Sequence, residues 1–186
     1  MTRKNFGPLA AATIVFIALV CLLSGCGQNN ATTNNKVNHE PTYFYSQVQL
    51  NQTKDAVGSA LGVSPENEDG YYNYIDPNTG FGVRISYNDS NQVTGKWLYA
   101  LDSDLPQLNN ATVTAEQAAA ITAGMTYDEV TSMLGGEGME FACVQNPSDD
   151  ANPITMRVWI NDDGTVLYVT FIGTKGTVAS SKFFSK

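Results

Sequence analysis

The chain has 186 residues, 42% of them hydrophobic, with 18 acidic against 10 basic side chains and a formal net charge of −8. This length suits one medium domain or two small ones. The acidic balance argues against nucleic acid as a partner, because such binding is dominated by cationic contacts to phosphates.

The N-terminus reads as a secretory signal. Arg3 and Lys4 form a short basic region, Leu9 to Leu23 is an apolar run without a charge, and Leu23-Ser24-Gly25-Cys26 closes it. The run is shorter than the roughly 20 apolar residues a membrane span needs, and small residues precede the expected cleavage point. Leu-Ser-Gly-Cys resembles the bacterial lipobox, in which the cysteine sulfur carries a diacylglyceryl group. Residues 1–25 are therefore predicted to be a cleaved signal peptide and Cys26 the lipidation site. The lipid would hold the protein at the extracytoplasmic face of the cytoplasmic membrane. The alternatives are a plain transmembrane anchor, or ordinary secretion with an incidental cysteine. Removing residues 1–25 takes two cations and no acid, so the charge deepens from −8 to −10. The lipid, not electrostatics, would then hold the chain beside an anionic surface. Cys21 leaves with the signal, and only Cys143 remains besides Cys26, so no intramolecular disulfide is available. Cys143 lies in the apolar stretch Phe141-Ala142-Cys143-Val144, as a buried small hydrophobe or as a reactive thiol.

Residues 26–41, rich in Asn and Thr, read as a lipidated cysteine followed by a flexible polar tether. It holds the only histidine, His39. Beyond it the sequence reads as an internal duplication: repeat 1 over 42–100, a linker over 101–113 containing Pro106, and repeat 2 over 114–186. Thr53-Lys54-Asp55-Ala56-Val57-Gly58-Ser59-Ala60-Leu61-Gly62 shares the pattern T-x-D-x-V-x-S-x-L-G with the segment from Thr126 to Gly135. Ile75, Gly80 and Tyr87 then correspond to Ile160, Gly164 and Phe171, with an insertion between helix and sheet in repeat 2.

In chain order, Tyr43 to Leu50 is predicted as a helix, though its aromatic residues also suit a strand. Thr53 caps a helix ending at Gly62. Strands follow at Tyr71–Ile75, Phe81–Tyr87 and Val93–Tyr99, with a turn at Asp76–Gly80. Thr114 and Gln117 form a capping box for a helix ending near Gly124. Thr126 and Glu129 form another for a helix stopped by Gly135. Ile154 to Ile160 alternates as a strand, Asn161-Asp162-Asp163-Gly164 is a hairpin turn, and strands follow over 166–172 and 177–184. The expected fold class is α+β: two tandem repeats, each a helix–helix pair followed by an antiparallel meander, with the helices on one sheet face.

Ala123-Gly124-Met125-Thr126-Tyr127-Asp128-Glu129-Val130, closing with Leu134-Gly135, resembles the G-M-T-x-x-x-V-x-x-x-L-G signature of a small-domain superfamily. That superfamily includes β-lactamase inhibitory protein and the BamE (SmpA/OmlA) outer-membrane assembly lipoproteins. The tandem arrangement is most similar to β-lactamase inhibitory protein, and Tyr45-Ser46-Gln47-Val48-Gln49-Leu50 resembles the start of its first repeat. The resemblance covers about 42–186 and speaks to fold more than to function. The chain departs from the inhibitor in having Asn51-Gln52 where repeat 1 would carry Gly-Met, in lacking the paired disulfides, and in its lipobox. The resemblance implies a binding sheet, and Asp76 to Gly80 stands where an inhibitory hairpin loop would be.

Catalytic patterns are thin. The folded part has no histidine for a nucleophile–base pair, no Ser-x-x-Lys, no clustered zinc ligands and no calcium-loop spacing at Asp149-Asp150 or Asp162-Asp163. No enzyme, metal or cofactor is expected. Strand parity, anchored on Phe81, Val83, Ile85 and Tyr87 as the core face and on Ile75 and Ile160 as core residues, predicts an outer face. That face carries Tyr72, Tyr74, Arg84, Arg157, Trp159 and Tyr168, residue types enriched at binding hot spots. The alternative is that these rings pack against one another or merely favour strands. Trp97 and Tyr99 have no assigned face. The functional expectation is a lipid-anchored binding protein recognising a protein or cell-envelope ligand; the alternative is an inhibitor of a β-lactamase or related penicillin-recognising enzyme.

Overall fold

The computed structural model describes residues 40–108 and 110–185; Cys26, the lipobox and His39 lie outside them. Eight strands form one sheet in strict sequence order, every neighbouring pair antiparallel. They are β1 (Glu66–Glu68), β2 (Tyr71–Ile75), β3 (Gly82–Tyr87), β4 (Val93–Tyr99), β5 (Met139–Val144), β6 (Ile154–Ile160), β7 (Val166–Ile172) and β8 (Thr177–Phe184). The described helices are short: α1 (Tyr43–Ser46), α2 (Lys54–Leu61), α3 (Ala115–Ala120) and α4 (Tyr127–Leu134), with a 3-10 segment over Asp102–Leu108.

This corrects the expected α+β class. The molecule is an antiparallel sheet with four short helices among its described residues, not two helix–helix pairs backing separate meanders. The predicted first helix shrinks to a single turn, since a helix of four residues forms few internal bonds and depends on tertiary packing. The third stops at Ala120 because Ile121 is already extended, with φ −74° and ψ 118°. The larger surprise is β5. It occupies the stretch read as an insertion, and it pairs with β4 on one side and β6 on the other, so the sheet runs unbroken.

Local helix signals act as their chemistry dictates. Thr53 and Thr126 sit in extended backbone and accept from Ala56 N and Glu129 N. Glu129 reaches back to Thr126 N at 2.8 Å, completing a capping box. Gly62 and Gly135 end their helices at φ 69° and 76°, the left-handed region that favours glycine.

The helices cover one face of the sheet. Phe44, Tyr45, Val48, Val57 and Leu61 from the first helical stretch cluster with Tyr74, Val83, Ile85 and Leu98. Val113, Ala118, Ile121, Tyr127, Val130 and Leu134 cluster with Trp159, Leu167, Val169 and Phe171. At the end of β6 the linker packs as well: Leu105 and Leu108 join Val158 and Ile160. Asn110 Nδ2 donates to Val158 O, and Asn110 Oδ1 accepts from Ile160 N at 2.9 Å.

Phe171 is wholly buried on the covered face and Phe184 is 43% exposed. Phe171→Ala should therefore cost about 3–5 kcal/mol and Phe184→Ala about 1 kcal/mol or less in urea unfolding. Equal costs would contradict this division of the sheet.

Candidate functional site

Register decides which side chains share a face, because directly paired residues in antiparallel strands project to the same side. Tyr72 pairs with Ile85 and Tyr74 with Val83, and Ile85 pairs in turn with Lys96 and Val83 with Leu98. Lys96 pairs with Cys143, Cys143 with Thr155, and Arg157 with both Glu140 and Val169. All of these lie beneath the helices. The opposite, open face carries Tyr71, Asn73 and Arg84, then Trp97 and Tyr99, then Met156 and Tyr168, and finally Lys182 and Phe184.

The six residues predicted as one outer face are thus divided. Arg84 and Tyr168 are on the open face. Tyr72, Tyr74, Arg157 and Trp159 are on the covered one, Tyr74 and Trp159 at only 1% exposure. Strand parity predicts Ile75 and Ile160 as core residues, facing the helices. Ile160 is buried at 3%, but from the other side, by the linker. Burial at that end of the sheet therefore does not report which face a residue occupies. Trp97 and Tyr99 belong to the open face, and only the pairings Arg84–Trp97 and Gly82–Tyr99 reveal it.

The four displaced residues have structural partners. Tyr72 lies 3.6 Å beneath the Lys54 ammonium and edge-on to Tyr87. Tyr74 OH is 3.2 Å from Tyr87 OH, and burial pushes the Tyr87 phenol well above its ordinary range. Trp159 Nε1 donates to Gly136 O, and Arg157 donates to Glu137 O and Gly138 O. Together they pin the loop after α4. A Cβ on Gly138 would fall 2.7 Å from the Trp159 ring, so this glycine permits the close approach.

The covered face also holds a charged cluster. Glu140 lies 3.9 Å from Lys96 Nζ and 3.6 Å from Arg157, and accepts from Tyr45 OH at 2.9 Å. Lys96 also donates to Val48 O at 2.8 Å and to Tyr45 O. Burial holds the Lys96 amino group below its ordinary range, with Glu140 opposing the shift. Burial and the Glu140 charge push the Tyr45 phenol far up, and they raise the Cys143 thiol likewise. Cys143 is therefore a buried, protonated thiol, a poor nucleophile. Among the described residues no group of three or more His, Cys, Asp or Glu side chains is placed to hold a metal ion.

The open face has its own cluster. The Trp97 indole lies across Gly95, where a Cβ would fall 2.5 Å from the ring. Tyr71 meets Trp97 edge-to-face at 5.6 Å. The Arg84 guanidinium stacks 4.5 Å above Tyr71 and pairs with Glu68 at 3.5 Å. Asn73 donates to Glu68 from beneath. Its Oδ1, buried, has no hydrogen-bond partner among the described residues. Across the sheet, a depression of roughly 470 Å³ is lined by Met156, Val166, Tyr168, Lys182 and Phe184. Tyr168 sits between Phe141 and Phe184, at 6.0 and 5.5 Å, both edge-to-face.

No protein-family model and no curated protein matches the chain.

Glu140 is the one carboxylate between two buried cations, so Glu140→Gln should cost about 3–5 kcal/mol at pH 7. The loss has a pH signature. Without Glu140 the folded-state pKa of Lys96 falls further below 10.5. Between that lowered value and 10.5 the unfolded chain keeps a proton that the folded chain has given up, so stability rises with pH. The deficit of the variant should narrow as pH rises from 7 toward 10.5 in urea unfolding. A deficit that widens over this interval would refute the pairing.

Proposed function

We propose that this protein is a non-catalytic binding module that recognises a protein or cell-envelope ligand on the open face of its sheet. The observation that carries this reading is the Tyr71–Arg84–Trp97 cluster, held on a face that the described helices leave uncovered. Trp, Tyr and Arg dominate binding hot spots because each combines a large apolar area with a polar or cationic handle. The indole is supported from behind by Gly95 and from the side by Tyr71, so little side-chain freedom is left to lose on binding. The superfamily resemblance, with its implied binding sheet, supports the same use of the face.

In this proposal the module sits at the outer face of the cytoplasmic membrane, tied to the lipid by Cys26 and a polar tether of about 15 residues. Such a tether has a root-mean-square reach of roughly 20 Å. Metabolic labelling with radioactive palmitate should mark the full chain. The label should vanish in Cys26→Ser and persist in Cys143→Ser; retention in Cys26→Ser would remove the anchor from the proposal.

A second reading, inhibition of a β-lactamase or related penicillin-recognising enzyme, has one observation in its favour. The Asp76–Gly80 turn is internally braced, with Asn78 N and Nδ2 donating to Asp76 Oδ1, and it presents Pro77 and Asn78 at an exposed tip. The Asp76 carboxylate itself is buried at 5% exposure, so the tip rather than the acid would enter a partner. Unchanged β-lactamase turnover across several enzymes at micromolar protein would dispose of this reading.

The open face is tested by photo-crosslinking. A photoreactive amino acid at Thr170, on the open face, should give a discrete adduct in cells expressing the full chain. The same group at Ser59, exposed on α2, should not. Trp97→Ala should cut the Thr170 adduct about tenfold or more, as loss of a hot-spot residue worth about 2 kcal/mol predicts. Equal adducts from Ser59, or an adduct indifferent to Trp97, would rule against the face.

A further inference from the structure

The two edges of the sheet are built differently. At one end β1 is three residues long, carries Glu66 and Glu68, and turns sharply at Asp69 with φ 51°. Short length, charge and an abrupt turn are the usual ways to blunt an edge. At the other end β8 runs eight residues. The start of its outer side is occupied: Gly124 N donates to Val178 O, Val178 N to Met125 O, and Tyr127 N to Gly176 O. A register shift against Thr170 and Phe171 leaves Ala179 out of the pairing. From Ser180 to Phe184 the strand pairs regularly with β7, and no described strand lies on its outer side. There is no proline here. The one charge, Lys182, lies back over the Phe184 ring at 4.5 Å.

The sequence segment that ends in this edge is also the cationic part of an acidic chain. From Gly164 to the C-terminus there is no Asp or Glu, and there are three lysines, Lys175, Lys182 and Lys186, in a chain whose net charge is −8. Two copies meeting edge to edge would bring lysines together. An acidic strand would be attracted. Beside the edge, on the open face, lies the depression lined by Met156, Val166, Tyr168 and Phe184, with room for an apolar side chain.

We propose that Ser180–Phe184 is a strand-addition site that takes an extended, acidic segment of a partner protein as a ninth strand. Main-chain hydrogen bonds supply the affinity in such additions, and alternate side chains supply specificity. Here an acidic side chain would pair with Lys182, and an apolar one would enter the depression beside Phe184. This site is separate from the Tyr71–Arg84–Trp97 cluster and does not depend on it.

The test is selection of a displayed random dodecapeptide library against the full chain in detergent micelles. The recovered peptides should be acidic, with alternating apolar positions. Binding should fall about tenfold in Lys182→Glu, whose reversed charge meets the acid, and fall also in Phe184→Ser, while Trp97→Ala leaves it unchanged. Hydrogen exchange should show new amide protection at Ser180–Phe184 in the complex. Equal urea midpoints would show that the variants fold. Recovery of no binders or of non-acidic ones, retained binding in Lys182→Glu, loss in Trp97→Ala, or protection outside β8 would each overturn the proposal.

Discussion

The carboxylate of Glu140 between Lys96 and Arg157 is the constraint on which the rest of the sheet depends. Each of these residues comes from a different strand, β5, β4 and β6, at the place where the two halves of the sheet meet. Two cations buried with one carboxylate leave an excess positive charge. The backbone oxygens of Tyr45, Val48, Glu137 and Gly138 take it up. A slip of β5 by one residue would turn Glu140 to the open face and strand both cations beneath the helices, a cost of several kcal/mol. The cluster thus holds the register of the joining strand, and a continuous eight-stranded sheet follows from it.

Once that register is set, the two faces divide the labour. Helices, loop anchors and the charged cluster occupy one side. Tyr74 and Trp159, large aromatic residues of the kind that mark interfaces, go into the covered core, where Trp159 ties down the loop after α4. The other side, apart from the end of β6 that the linker covers, carries rings that support one another: Trp97 on Gly95, Tyr71 against Trp97, Arg84 over Tyr71. The buried Asn73 Oδ1 beneath this group, lacking a hydrogen-bond partner among the described residues, is an energetic cost that packing alone does not explain.

The sequence made some of this legible. Helix caps at Thr53, Thr114 and Thr126 and stops at Gly62 and Gly135 depend on three or four neighbouring residues, so they were readable where they stand. Six of the strands, from Tyr71–Ile75 to Thr177–Phe184, carry the alternation or the β-branched and aromatic content that marks them. What was not readable is non-local. Met139–Val144 carries a glutamate and a cysteine and alternates poorly, because Glu140 is half-buried against partners from other strands and a bulge adds Phe141. Face assignment failed for Tyr72, Tyr74, Arg157 and Trp159 for the same kind of reason. Ile160 has an apolar partner on the side away from the helices, supplied by a linker whose path no periodicity encodes. Trp97 gained a face only through its pairing with Arg84.

Charge completes the picture. The acidic residues lie from Glu40 to Asp163, and none lies in β7 or β8. The acid-rich β1 edge and the lysine-bearing β8 edge therefore stand at opposite ends of the strand order. A partner approaching an anionic molecule is steered by such asymmetry before any contact forms. Under the proposed strand addition, an acidic segment would be turned away from β1 and drawn toward β8. Tyr168 on β7 pairs directly with Lys182 on β8, so a strand added at that edge would continue the open face outward without disturbing it. The sheet then offers two chemically distinct surfaces, an aromatic face and a cationic edge. One ligand long enough to cross both would gain from each through the effective concentration that the first contact sets.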